Sequence, residues 1–259
     1  TNTYNVTLDA RGGIFKSDSS HTVRFSRKYG EAIGRLPAAD EVYREAYEFA
    51  GWSREANDQG QDVNEHAAVK GDLVIYAKWK DIYLDVKYYK NEANSSPAKV
   101  KSLKYGSRLG ELLPESETAK EGYDLVGYKI VDDSGHSFTY PVSKIEDVKD
   151  YVVKKSISIY PMFKLQTFNL KFNTNGGEHS VNGDVKPLDD VTYNYGDTVK
   201  LTDLPDESSL KKPNHVFLYW EYKTDSMQDY EKLPDNYVIK SDTSLRAMWG
   251  RIPAKVSFN

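Results

Sequence analysis

Carboxylates, imidazoles and glycine turns are the groups here that could do chemistry, and their spacing decides whether they do. Glu115, Glu117 and Glu121 are close enough in sequence to suggest a general acid paired with a general base. Nothing arranged alike occurs in the corresponding stretches elsewhere in the chain, so a solvated acidic loop is the favoured reading. His21, His66, His136, His179 and His215 are scattered, without the short intervals that bring two ligands to one metal. The Asp-rich residues 58–62 and 184–190 offer oxygen ligands for calcium but lack the Asp-x-Asp-x-Asp-Gly loop. Asn175-Gly176-Gly177 and Asn182-Gly183-Asp184 are turn sequences. A phosphate cradle would need a following helix and a Lys-Ser/Thr pair. The chain has no cysteine and no Gly-x-Ser-x-Gly elbow. A Lys–Asn isopeptide cross-link stays open, because both residue types abound and sequence cannot pair them. We therefore expect no enzyme: no catalytic residue, no metal ligand and no cofactor. Which residues would contact a partner is not legible.

The elements that would have to position such groups are repeated. Gly71-Asp72-Leu73-Val74-Ile75-Tyr76-Ala77-Lys78-Trp79 returns as Ser241-Asp242-Thr243-Ser244-Leu245-Arg246-Ala247-Met248-Trp249, with a degenerate copy ending at Pro161-Met162-Phe163. The aromatic endings Trp79, Phe163 and Trp249 recur at intervals of 84 and 86 residues. Tyr29-Gly30, Tyr105-Gly106 and Tyr195-Gly196 recur in step with them. Each is followed by Leu-Pro: Leu36-Pro37, Leu113-Pro114 and Leu204-Pro205. An aromatic segment comes next, from Tyr47 to Trp52, Tyr123 to Tyr128 and His215 to Trp220. Gly12-Gly13 and Gly176-Gly177 follow the opening strands of the first and last copies, whereas the middle copy runs Leu84-Asp85-Val86-Lys87-Tyr88-Tyr89. Four landmarks in one order define a tandem array. We expect modules over residues 1–80, 81–165 (divergent) and 166–251. Residues 252–259 read as the truncated start of a further repeat, since Lys255 to Asn259 match Asn169 to Asn173; a polar tail is the other reading.

Each module has about 80 residues, enough for a small core of its own. Small secreted eukaryotic modules usually carry disulfides, so cysteine-free repeats fit a bacterial surface protein better, while a cytoplasmic one stays open. The net charge of −4, with both signs interspersed, gives no footprint for nucleic acid and no polybasic patch for a membrane. No apolar stretch approaches the length that spans a bilayer. The 20 tyrosines suit half-buried strand packing first and a binding surface second.

Alternation dominates the local pattern. Tyr4, Val6, Leu8 and Ala10 share one strand face, and residues 21–25 alternate likewise, so the two form a hairpin with a long loop. Residues 39–46 have helix-favouring composition, and 116–119 and 207–210 suit a turn or two of helix. Phe49, Trp52, Tyr76 and Trp79 are expected in the first core. Their spacing of three puts the members of each pair on opposite strand faces, leaving one free for a neighbouring module or solvent.

These residues resemble the Listeria–Bacteroides repeat, the B-repeat of internalin-type surface proteins. The first copy carries the pattern in Arg11-Gly12-Gly13, Tyr29-Gly30, Leu36-Pro37, Tyr47 to Trp52 and Ile75 to Trp79. The third has Asn175-Gly176-Gly177 and Ala247-Met248-Trp249. The second departs, with Tyr128 for the first tryptophan and Phe163 for the last. The resemblance implies an α+β, mostly β fold of three tandem β-grasp-like (ubiquitin-like) modules in an elongated array. It implies a secreted or wall-attached protein of a Gram-positive bacterium; a monomer without membrane insertion is expected. It brings no catalytic residues. Adhesion to a host surface or matrix protein or glycan, combined with spacing, is the expected function. A plain stalk, or an accessory region of a secreted glycan-degrading enzyme, is the alternative.

Overall fold

The computed structural model describes residues 2–253, and the protein is mostly β. Three sheets repeat one arrangement. In the first, the order is Thr22–Lys28, Thr3–Asp9, Leu73–Asp81, Tyr47–Ser53. The middle sheet runs Lys99–Lys104, Tyr83–Tyr88, Ile157–Leu165, Tyr123–Asp132, Ser137–Pro141. The third runs Val191–Asn194, Thr167–Asn173, Thr243–Arg251, His215–Thr224, Glu231–Lys232. In each the opening and closing strands lie parallel at the centre: Leu8 is opposite Ile75, Tyr88 opposite Ile159, Phe172 opposite Leu245. Their neighbours are antiparallel. These mixed sheets are consistent with tandem β-rich modules. The chain divides into two compact units, one of residues up to Pro114 with Gly127–Pro161, the other of Glu115–Val126 with the chain from Met162 onward. Residues 254–259, and with them the match to a further repeat, lie outside the described residues.

The motif residues assemble one aromatic core per outer sheet. Val6, Leu8 and Ala10 are buried, as their alternation demands. The tryptophans depart from the expected faces. A bulge between Phe49 and Gly51 adds one residue to the strand, so the two-residue period slips and Phe49 and Trp52 turn to the same side. Phe49 meets Trp52 and Trp79 edge-on, with ring centroids 5.4 and 5.6 Å apart. The third sheet repeats the bulge between Phe217 and Tyr219, and Phe217 meets Trp220 and Trp249 at 5.7 and 5.8 Å. Of the expected first-core aromatics, Tyr76 alone alternates away from this cluster.

Each core indole, buried or partly buried, finds an acceptor, as a desolvated donor must. Trp52 Nε1 donates to Pro37 O and Trp220 Nε1 to Pro205 O, at 2.8 and 2.7 Å. The Leu-Pro landmark is therefore the acceptor turn for the first tryptophan. Trp79 Nε1 donates to Ala10 O and Trp249 Nε1 to Thr174 O, both at 2.9 Å. The second glycine of each Gly-Gly makes room for that ring: a Cβ on Gly13 would lie 2.5 Å from Trp79, and one on Gly177 2.2 Å from Trp249. The middle module, ending in Phe163, has no Gly-Gly. The recurrent aspartate of the closing motif also has a task. Asp72 and Asp242 accept the amides of Asn5 and Asn169, at 2.8 and 2.7 Å, and Ser156 Oγ does the same for Asp85 at 3.1 Å.

The helix expected over residues 39–46 does not form. Val42–Tyr43 is a short strand paired with Ile14–Phe15, and Ala46 takes a left-handed φ of 68°. So short a segment cannot repay helix nucleation by itself. Burying the β-branched Val42 in the cluster that holds Phe15 favours the strand. Glu115–Thr118 is one helical turn, but residues 207–209 form a turn into the Leu210–Lys211 strand. The middle module adds a second short helix, Ile145–Lys149.

Candidate interaction surfaces

Among the described residues the chemistry-bearing side chains do not converge; the side chain of Glu115 lies outside them. Glu117 is exposed, and Glu121 accepts a hydrogen bond from the Tyr195 hydroxyl, with Lys240 at 3.7 Å. The tyrosine first and the lysine second hold the Glu121 carboxyl below the usual range. His21 Nδ1 bonds to Gly13 O, His215 Nδ1 to Pro213 O, His66 lies beside Glu65, and His136 contacts Asp132. Among the described residues no group of three His, Asp or Glu side chains is arranged to hold a metal ion. Asp58 and Asp62 are engaged otherwise. Asp58 takes the Trp79 amide at 3.0 Å and the Arg11 guanidinium at 2.7 Å, and Asp62 pairs with Lys78 at 2.5 Å. Asp184 lies in a hairpin opposite Val181 around the Asn182-Gly183 turn.

What recurs instead is a joint. One residue separates successive sheets, and its peptide is held on both sides. Ile82 N donates to Ala46 O at 3.3 Å, while Ile82 O accepts from Tyr105 N at 2.8 Å. Gln166 N donates to Gly122 O, and Gln166 O accepts from Tyr195 N, both at 2.9 Å. Ile252 N donates to Asn214 O at 3.0 Å in the same manner. Ala46, Gly122 and Asn214 all have positive φ, of 68°, 76° and 60°. Tyr105 and Tyr195 thus tie their hairpins to the joints, and Tyr29 N bonds to Asn2 O in the equivalent way, while Gly30, Gly106 and Gly196, with φ near +80°, turn the chain away. Side chains reinforce the joints: Asp81 pairs with Lys104 at 2.8 Å, and Gln166 Nε2 donates to Asp124 at 2.7 Å.

The middle module carries one strongly perturbed carboxylate. Burial would raise the pKa of Asp132, but Lys155 at 3.1 Å and the amides of His136 and Ser134, each at 2.9 Å, bring it down to about 2. A depressed carboxylate contributes stability that is present above its unfolded pKa of about 3.9 and is lost as pH falls through the folded value. Between pH 4 and pH 2 the middle module should therefore lose urea resistance. Asp132→Asn should lower its resistance at pH 6 and flatten that part of the profile. An unchanged acid profile in the variant would assign the loss to other groups.

Sequence reasoning missed one surface feature. Tyr89 and Tyr160 stack on the open face of the middle sheet, with centroids 4.5 Å apart and planes 20° from parallel. The signal was there: Tyr89 occupies the position of Asp9 and Asn173, whose side chains cap the Gly-Gly turns of the sister modules.

The model of the Listeria-Bacteroides repeat domain matches this chain twice, over residues 4–78 and 168–248. Two proteins of Evansella cellulosilytica are similar over 99% of the chain at 24% identity. By their provisional names one is a membrane protein and the other a Gly-rich membrane protein. The chain spans 34% and 26% of their lengths. Among the described residues no helix is long and apolar enough to cross a membrane, which says nothing of strands.

Proposed function

From the premise that the chain belongs to the Listeria-Bacteroides repeat family, we propose that it is a non-catalytic repeat region of a bacterial cell-surface protein. In this reading it adheres to host or matrix ligands and spaces the rest of the molecule. The recurrent joint carries the proposal. A linking residue whose N–H and C=O are both bonded leaves no free stretch of chain between successive sheets, which suits a spacer. The same reading divides the chain into modules over 1–80, 81–165 and 166–251. It takes each as β-grasp-like, supported by the central parallel pair of first and last strands. The aromatic motif residues are committed to cores, so ligand contacts fall to residues in which the modules differ. Family membership and the relatives' names and source support a location at the cell surface of a Gram-positive bacterium; in this reading the chain acts as a monomer.

The test is saturable binding of the purified chain to host-cell monolayers and immobilised matrix proteins. An unrelated β protein of equal size and charge serves as control. Binding well above the control is expected. Binding no stronger than the control on every surface would overturn the adhesive part.

A further inference from the structure

We propose that the open face of the middle sheet binds a neutral pyranose ring, with Tyr160 as its stacking floor. This deepens the adhesive reading above and rests on it. Tyr89 N donates to Ile159 O at 2.9 Å, which continues the parallel register of Tyr83–Tyr88 along Ile157–Leu165 and sets Tyr89 beside Tyr160. Tyr89 covers one side of the Tyr160 ring. Tyr160 also lines a hollow of about 140 Å³, shared with Lys87, Ser158, Asp132 and Asp133. Lys87 and Ser158 are directly opposite each other across the two parallel strands.

The pair has no evident structural task. Neither phenol hydroxyl is hydrogen-bonded within the protein among the described residues, and Lys87 has no ion-pair partner there. The sister modules fill these positions differently. Asp9 is opposite Tyr76 and caps its turn; Asn173 caps likewise, opposite Arg246, which is paired to Glu221 at 2.7 Å under the Tyr230 ring. Among the described residues, the middle sheet therefore differs from its sisters in presenting a backed aromatic ring beside unpaired hydrogen-bonding groups of both kinds. Lys87 donates, Asp133 accepts, and Ser158 and the phenols do either. The complement is a ring with a C–H face for the aromatic and hydroxyls around its edge for donors and acceptors alike. That is a pyranose. Of the two lining carboxylates Asp132 is already paired with Lys155, and Lys87 offsets Asp133, so no cation is left over for an acidic sugar and a neutral one is favoured.

The test uses the whole chain, labelled for NMR and titrated with methyl glucoside, methyl galactoside and methyl N-acetylglucosaminide. At least one should shift Lys87, Ser158, Tyr89 and Tyr160 together, with a Kd on the order of a millimolar for so small a ligand. Tyr160→Ala should weaken binding about tenfold or more, whereas Tyr160→Phe keeps the stacking face and most of the affinity. Tyr76→Ala in the first module should leave binding unchanged. Unaltered core resonances of Ile130 and Val148 show that a variant is folded. Absence of shifts with all three sugars up to about 20 mM, far above the expected Kd, overturns the proposal. So does full binding by folded Tyr160→Ala, or shifts produced by an aromatic peptide and by no sugar. If host-cell binding survives Tyr160→Ala undiminished, the sugar site fails while the adhesive reading stands. Loss of both in the parent chain fails the two together.

Discussion

Trp220→Ala should destabilise the third module by about 3–5 kcal/mol, the range for truncating a buried tryptophan. The side chain is 1% exposed and touches Phe172 and Phe217 edge-on, so little can collapse into the space it leaves. Its indole N–H also satisfies Pro205 O, and the substitution frees the Leu-Pro turn as well as hollowing the core. A small domain has roughly 5–15 kcal/mol in total, so the loss takes a large share of one module's stability. Urea unfolding followed through Trp249, which stays in the same core, would measure it. A cost below about 1 kcal/mol, the scale of an ordinary surface substitution, would mean that the aromatic triangle does not hold the module together.

Gly177→Ala should cost about 1–3 kcal/mol through overpacking, and the cost should depend on the residue at 249. The new methyl would lie 2.2 Å from the Trp249 ring, and the ring cannot retreat without giving up its bond to Thr174 O. In a Trp249→Phe background the smaller ring vacates that space, so the glycine substitution becomes cheaper by roughly 1 kcal/mol or more. The middle module already shows the relaxed combination, Phe163 without a Gly-Gly. Additive costs in the double variant would separate the glycine from the tryptophan and leave the turn itself as its reason.

Much of this order was legible from recurring residues. Trp79 and Trp249 marked the closing strands, Tyr105 and Tyr195 the joints, and the alternation at Val6, Leu8 and Ala10 the buried face. The faces of Phe49 and Trp52 were misread because a period of two assumes an unbroken ladder. The bulge at residue 50 is a local irregularity that composition does not announce. The helix at residues 39–46 was misread because propensity summed over eight residues is outweighed by one buried contact, that of Val42. The Tyr89–Tyr160 stack was hidden for a different cause. The two residues are 71 positions apart, and only the parallel pairing of first and last strands makes them neighbours.

Hydrogen exchange across the folded Trp220→Ala chain tests the central claim, that stability is local to each repeated sheet. The account predicts that amides of Thr243–Arg251 and His215–Thr224 lose most of their protection, while those of Thr3–Asp9 and Leu73–Asp81 keep theirs. Equal loss of protection in the first and third sheets would contradict it.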